Sequence, residues 1–179
     1  SLVGHSQGCL ITMECSAQFP DKIKSLSLMG GAGAIPMNSE LLDLAEKGKT
    51  KAVDLMMDWA HGPAGHFGGH AVPGLHHINI GGTIIHNGSV KNALGVDFRA
   101  CNNYKNGFEA AKKVKCPTIN ILGDKDKMCP VKEGKKLADS IVGSQVEIIP
   151  NCGHMILLEE ADKALAILKK FITTNHPSN

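Results

Sequence analysis

The 179-residue chain has a formal charge of +2, with 42% hydrophobic, 20% charged and only 4% aromatic residues. That balance suits one globular domain with its own core, and the lack of a basic stripe or aromatic platform argues against a nucleic-acid partner. Six cysteines are scattered with no C-x-x-C pair, and no apolar run reaches the roughly eighteen residues of a span, so reduced thiols, a cytoplasmic setting and no membrane span are expected.

The chain opens on an apolar run, Leu2-Val3, that enters Gly4-His5-Ser6-Gln7-Gly8. The spacing G-x-S-x-G is that of a sharp strand-to-helix turn with an exposed serine at its tip, the small residues on either side letting strand and helix approach. Cys9 to Phe19 has helical periodicity and stops at Pro20, and Ile23 to Met29 alternates as a strand before Gly30, Gly31 and Gly33 break it. Strand, helix, strand implies parallel pairing, with ligands held at the carboxyl ends of the strands.

From Ala34 to about Gly107 the pattern reads as an insertion. Leu41 to Lys47 and Lys51 to His61 are amphipathic helices, while the glycine- and histidine-rich stretch from His61 to His77 is loop or broken helix. An insertion of this length at the ligand end of a sheet is expected to act as a lid or substrate pocket. His61, His66, His70, His76, His77 and His86 show no H-E-x-x-H or H-x-x-E-H spacing, so no metal site is expected, and no cofactor. Met56, Met57 and Trp59 read either as packing or as a pocket wall.

Regular order returns with a helix over Phe108–Val114, a strand over Pro117–Leu122, a helix over Val131–Ile141 and a strand over Val146–Ile149. A closing helix over Glu159–Thr174 presents Ala161, Leu165, Leu168, Phe171 and Ile172 on its apolar face. Asp124 and Asp126 follow the first of these strands and His154 follows the second, so an acid and a base join Ser6 at one sheet edge in the order Ser, Asp, His.

These signs, G-H-S-Q-G, the G-x-x-D-x-x-x-P pattern filled by Gly123, Asp126 and Pro130, and the pair Gly153-His154, resemble the α/β-hydrolase superfamily of serine-nucleophile, lid-bearing enzymes. The resemblance implies a partial α/β-hydrolase fold, a parallel sheet flanked by helices, with residues 1–33 and 108–179 as core and 34–107 as a helical lid. It assigns Ser6 as nucleophile, His154 as general base and Asp126 as the residue orienting it, with Asp124 as the rival acid. Gln7 is assigned an oxyanion N–H, and His5 and Met155, beside the reactive residues, a place at the substrate. The activity implied is acyl transfer to water from a small or medium apolar ester or related acyl substrate. Cofactor-free haloperoxidases, carbon–carbon bond hydrolases, thioesterases and acyltransferases share the same three residues, and a non-catalytic module is the reading from another class. The family's second oxyanion donor and early strands would precede Ser1. The chain is therefore expected to be a fragment with an unprotected edge at Leu2-Val3, poorly stable and nearly inactive in isolation.

Overall fold

A computed structural model describes residues 1–66, 77–87 and 92–175. Strand β1 (Leu2–His5) leads through the Ser6 turn into helix α1 (Gln7–Gln18), a short 3-10 turn at Pro20–Lys22, and strand β2 (Leu26–Met29). The strand is shorter than the alternation from Ile23 suggests, because Pro20 nucleates the 3-10 turn and Ile23 closes it.

Four helices long enough to bury an apolar stripe follow, with one short turn among them: α2 (Ser39–Glu46), α3 (Thr50–Ala60), α4 (Pro63–His66), α5 (His77–His86) and α6 (Ala93–Asn103). Asn38 caps α2 by accepting from the amides of Glu40 and Leu41, which fixes its start. The residue periodicity marks α2 and α3 but not α5 or α6. Each carries glycine inside it, Gly81 and Gly82 in α5 and Gly95 in α6, and tertiary packing overrides the low propensity. Gly95 lies so close to the Ala45 carbonyl that an added Cβ would be 2.7 Å away, so α6 needs that glycine to pack on α2. Leu41, Ala45, Ala52 and Phe98 form the apolar centre of this layer.

Helix α7 (Gly107–Ala111), strand β3 (Thr118–Gly123), helix α8 (Val131–Asp139), strand β4 (Gln145–Ile149), the turn α9 (Ile156–Glu159) and helix α10 (Ala161–Asn175) complete the chain. The closing helix is thus interrupted at Glu160, and the register of its face shifts: Ala164 and Phe171 are buried with Ile167 and Leu168 partly so, while Leu165 is 64% exposed.

The four strands lie parallel in the order β1-β2-β3-β4, with Leu2 opposite Leu26, Leu26 opposite Thr118 and Ile119 opposite Gln145. Leu26 and Leu28 face a core shared with Cys9, Leu10, Met13 and Leu137 on one side, and Met29, Ile119 and Ile121 meet Ile149, Ile156 and Phe171 on the other. Burying β2 and β3 on both faces explains their near-continuous apolar runs. All strands end on the same side, so the residues after β1, β2, β3 and β4 share one edge of the sheet.

Candidate active site

Ser6 lies between β1 and α1 with φ 54° and ψ −122°, a backbone region that side-chain-bearing residues rarely adopt. Its amide donates to the Met29 carbonyl at 3.0 Å, pinning the turn to β2. The flanking glycines are not equivalent. A Cβ on Gly4 would collide with Thr12 Oγ1 and the Gly8 carbonyl, whereas a Cβ on Gly8 would meet nothing within 4 Å. The close approach of strand and helix therefore requires glycine at 4 alone. Because α1 begins at Gln7, the Gln7 amide has no intrahelical acceptor and sits at the positive end of the helix dipole.

Asp126 follows β3 and His154 follows β4, and they meet: His154 Nδ1 donates to Asp126 Oδ2 at 2.8 Å. The other carboxylate oxygen, Oδ1, accepts from the amides of Met128 and Cys129, each at 2.8 Å, so the acid is fixed by its own loop. The pair is buried, at 6% exposure for Asp126 and 2% for His154. Asp124, the rival acid, instead accepts weakly from the Cys152 amide at 3.3 Å and pairs with Lys125 near the surface.

With Nδ1 committed to the carboxylate, His154 keeps its lone pair on Nε2, and that buried nitrogen has no hydrogen-bond partner among the described residues. A buried polar atom left without a partner is uncommon and asks for a reason. No hydrogen bond joins it to Ser6 among the described residues, although both side chains border the same cavity.

Gly30, read from sequence only as a strand breaker, is part of this arrangement. It has φ 57°, and an added Cβ would lie 3.1 Å from His154 Nδ1 and 3.4 Å from Asp126 Oδ2. A side chain there would press on the pair from β2.

His5 donates from Nε2 to the His154 carbonyl at 2.7 Å, and the two imidazoles pack with centroids 4.9 Å apart. Because a carbonyl only accepts, the proton of neutral His5 is on Nε2. Burial, reinforced by the neighbouring His154, holds the His5 pKa below its ordinary value. Met155 also borders the cavity, and its amide donates to the Ala60 carbonyl at 3.1 Å.

The cavity has a volume of about 620 Å³. Its lining includes Ser6 and His154 and is otherwise predominantly apolar, with Met37, Met56, Met57, Met128, Met155 and Trp59. Met56, Met57 and Trp59 thus serve both as packing and as wall, since Met57 is also 2% exposed.

All six cysteines are unpaired. Burial pushes the Cys9 and Cys152 thiols up to about 12, which keeps them protonated and poor nucleophiles at neutral pH. Among the described residues no group of three or more His, Cys, Asp or Glu side chains is placed to hold a metal. His61 donates from Nδ1 to the Met57 carbonyl at 2.8 Å and His66 lies beside Asp58, whereas His70 and His76 fall outside the described residues.

No protein-family model matches the chain. Over 67 residues it is 37% identical to monoacylglycerol lipase ABHD6 of Bos taurus, a match covering 37% of this chain and 20% of the lipase. Over 63 residues it is 36% identical to proline iminopeptidase of Lactobacillus acidophilus, covering 35% of this chain and 21% of the peptidase. Among solved structures, a thermophilic esterase superposes with TM-score 0.79 at 25% identity, covering 97% of this chain and 66% of the esterase. An enol-lactonase from Burkholderia xenovorans superposes with TM-score 0.82 at 19% identity, covering 96% of this chain and 64% of the lactonase.

A parallel sheet flanked by helices, partial relative to these neighbours, is the α/β-hydrolase fold. The chain is a member of the α/β-hydrolase superfamily. The matched segments span about a fifth of the curated relatives' length.

Proposed function

We propose that the chain carries the reacting residues of a serine hydrolase that cleaves a small or medium apolar ester through an acyl-enzyme. The observation behind this reading is the buried Asp126–His154 pair with Nε2 unpartnered, bordering the cavity that Ser6 also borders. In the reaction His154 Nε2 accepts the Ser6 hydroxyl proton as Oγ bonds to the ester carbonyl carbon. The carbon–alkoxy bond then breaks and the alcohol leaves with the proton from Nε2. Water repeats the sequence: its proton passes to Nε2, its oxygen attacks the acyl carbon, and the acid departs as Ser6 regains its proton. Asp126 keeps the imidazole in the reactive tautomer and offsets its charge. The Gln7 amide, at the start of α1, is the oxyanion donor this chain contributes.

In this reading α2 to α6 form the lid, His5 and Met155 line the substrate's path, and the apolar walls take the acyl or alcohol part. The six unpaired cysteines favour a reducing, cytoplasmic setting. A fluorophosphonate probe tests the reading: covalent labelling at Ser6, lost in Ser6→Ala and strongly slowed in His154→Ala, is expected. A folded protein in which no label appears at Ser6 even on prolonged incubation would overturn it.

A further inference from the structure

We propose that Glu159 is a positioning residue for His154, tying the loop of the proposed base to the helical segment above it; this rests on reading His154 as that base. Glu159 closes the α9 turn and reaches back with both carboxylate oxygens. Oε2 accepts from the Gly62 amide at 2.8 Å and the Gly153 amide at 3.0 Å, and Oε1 accepts from the Met155 amide at 3.1 Å. Gly153 and Met155 are the residues on either side of His154. Gly62 lies 97 positions from Glu159, just beyond α3.

A second set of bonds crosses the same junction. The Ala60 carbonyl, at the end of α3, accepts from the His154 amide at 2.8 Å and from the Met155 amide at 3.1 Å. The main chain approaches so closely that only glycine fits: a Cβ on Gly62 would lie 2.8 Å from Glu159 Oε2 and 2.9 Å from the Gly153 amide, and one on Gly153 would collide with the Gly62 amide. The base loop and the end of α3 therefore move as one body, with the carboxylate as its centre. Hydrogen bonds to a charged acceptor are the strong kind, and no cation competes for this carboxylate in an ion pair among the described residues.

The consequence is chemical. Asp126 fixes the far side of the imidazole through its own loop, but the direction of Nε2 towards Ser6 also depends on where the His154 backbone sits, and Glu159 holds that backbone. Substrate seated against α3 would be sensed at His154 through the same bonds.

The test uses the full chain, unaltered and as Glu159→Gln and Glu159→Asp, with Ile167→Ala on α10 as a packing control. Readouts are the rate of fluorophosphonate labelling at Ser6 and the low-field proton signal of the His154 Nδ1–H bound to Asp126. Glu159→Gln is expected to stay folded by circular dichroism, to label about ten- to a hundredfold more slowly, as small misplacements of reacting groups do, and to broaden the imidazole signal. Glu159→Asp, which keeps the charge, should recover part of the rate, and Ile167→Ala should lower the melting temperature without changing rate or signal. Labelling of Glu159→Gln within about twofold of the unaltered chain, or equal slowing in Ile167→Ala, would overturn the proposal. Failure of the unaltered chain to label at Ser6 would instead overturn the hydrolase reading and this inference with it. If Glu159→Gln does not fold, amide exchange in the unaltered chain decides: one shared slow rate for Gly62, Gly153 and Met155 supports the coupling, and unequal rates refute it.

Discussion

Asp126 divides its two oxygens between main-chain amides and His154, so replacing it by asparagine disturbs little backbone but puts an amide where the imidazole needs an acceptor. In the proposed reaction Asp126→Asn is expected to lower the acylation rate by about 10⁴-fold, the size of the tautomer effect in serine triads, with an unchanged circular dichroism spectrum. Retention of more than a tenth of the rate, measured by stopped-flow labelling, would assign the orienting role elsewhere.

His5 makes a second prediction at this scale. Its pKa is lowered by burial and by the nearby His154 imidazole, with the hydrogen bond to the His154 carbonyl and, less, Asp126 opposing the shift. The unfolded chain therefore binds a proton at His5 at a higher pH than the folded one does, and the stability from neutral His5 is complete above the unfolded value of about 6.5 and is lost as pH falls below it. The melting temperature should drop between pH 7 and pH 5, and His5→Asn should flatten that slope. An identical slope in the variant would place the titration in other groups.

Ser6, Asp126 and His154 were legible as strand-end residues because each carries a spacing that strand ends impose. Glu159 and Gly30 were not. The partners of Glu159 are amides, which every residue but proline carries, so its bonds leave no mark in the residue pattern. Gly30 is one glycine among twenty, and only its approach to the Asp–His pair distinguishes it from a plain strand breaker.

At the scale of elements, the Ser6 turn gives an asymmetric expectation. Gly4→Ala forces Cβ into Thr12 and the Gly8 carbonyl and should destabilise by about 2–3 kcal/mol, in the range of an overpacked core. Gly8→Ala places its methyl in open space inside α1 and should be neutral or stabilise by up to about 1 kcal/mol, from helix propensity. Urea denaturation of both variants checks this, and equal losses would mean that the turn needs glycine at both positions.

Element legibility followed the same physics. Helices α1 and α8 and strand β3 lie close to the bounds that the residue pattern suggests. In helix α10 the expected face holds at Leu168, Phe171 and Ile172 but not at Ala161 and Leu165, because the break at Glu160 lets Ala161 start a new helix whose buried stripe runs through Ala164 and Phe171. Helices α5 and α6 stayed hidden behind their internal glycines, whose value lies in close approach to neighbours far away in sequence: a Cβ on Gly81 would collide with Met57.

Across the whole molecule, the sheet's outer strands are its weak point. Among the described residues β1 pairs only with β2 and β4 only with β3, and Val3, Val146 and Ile148 are 46%, 37% and 40% exposed. Exposed apolar edge strands invite pairing with another chain, and a lysine there discourages it. Val3→Lys combined with Ile148→Lys should raise the concentration at which light scattering first detects assemblies. An unchanged onset would show that self-association proceeds by another surface.

The cavity walls hold five of the chain's seven methionines, Met37, Met56, Met57, Met128 and Met155. Unbranched thioether chains are soft and repack at little cost, so such walls mould themselves to their guest instead of measuring it. In the proposed reaction, selectivity should accordingly be broad and shallow across acyl lengths, and mild peroxide, by turning sulfides into sulfoxides, should wet the walls and narrow that tolerance.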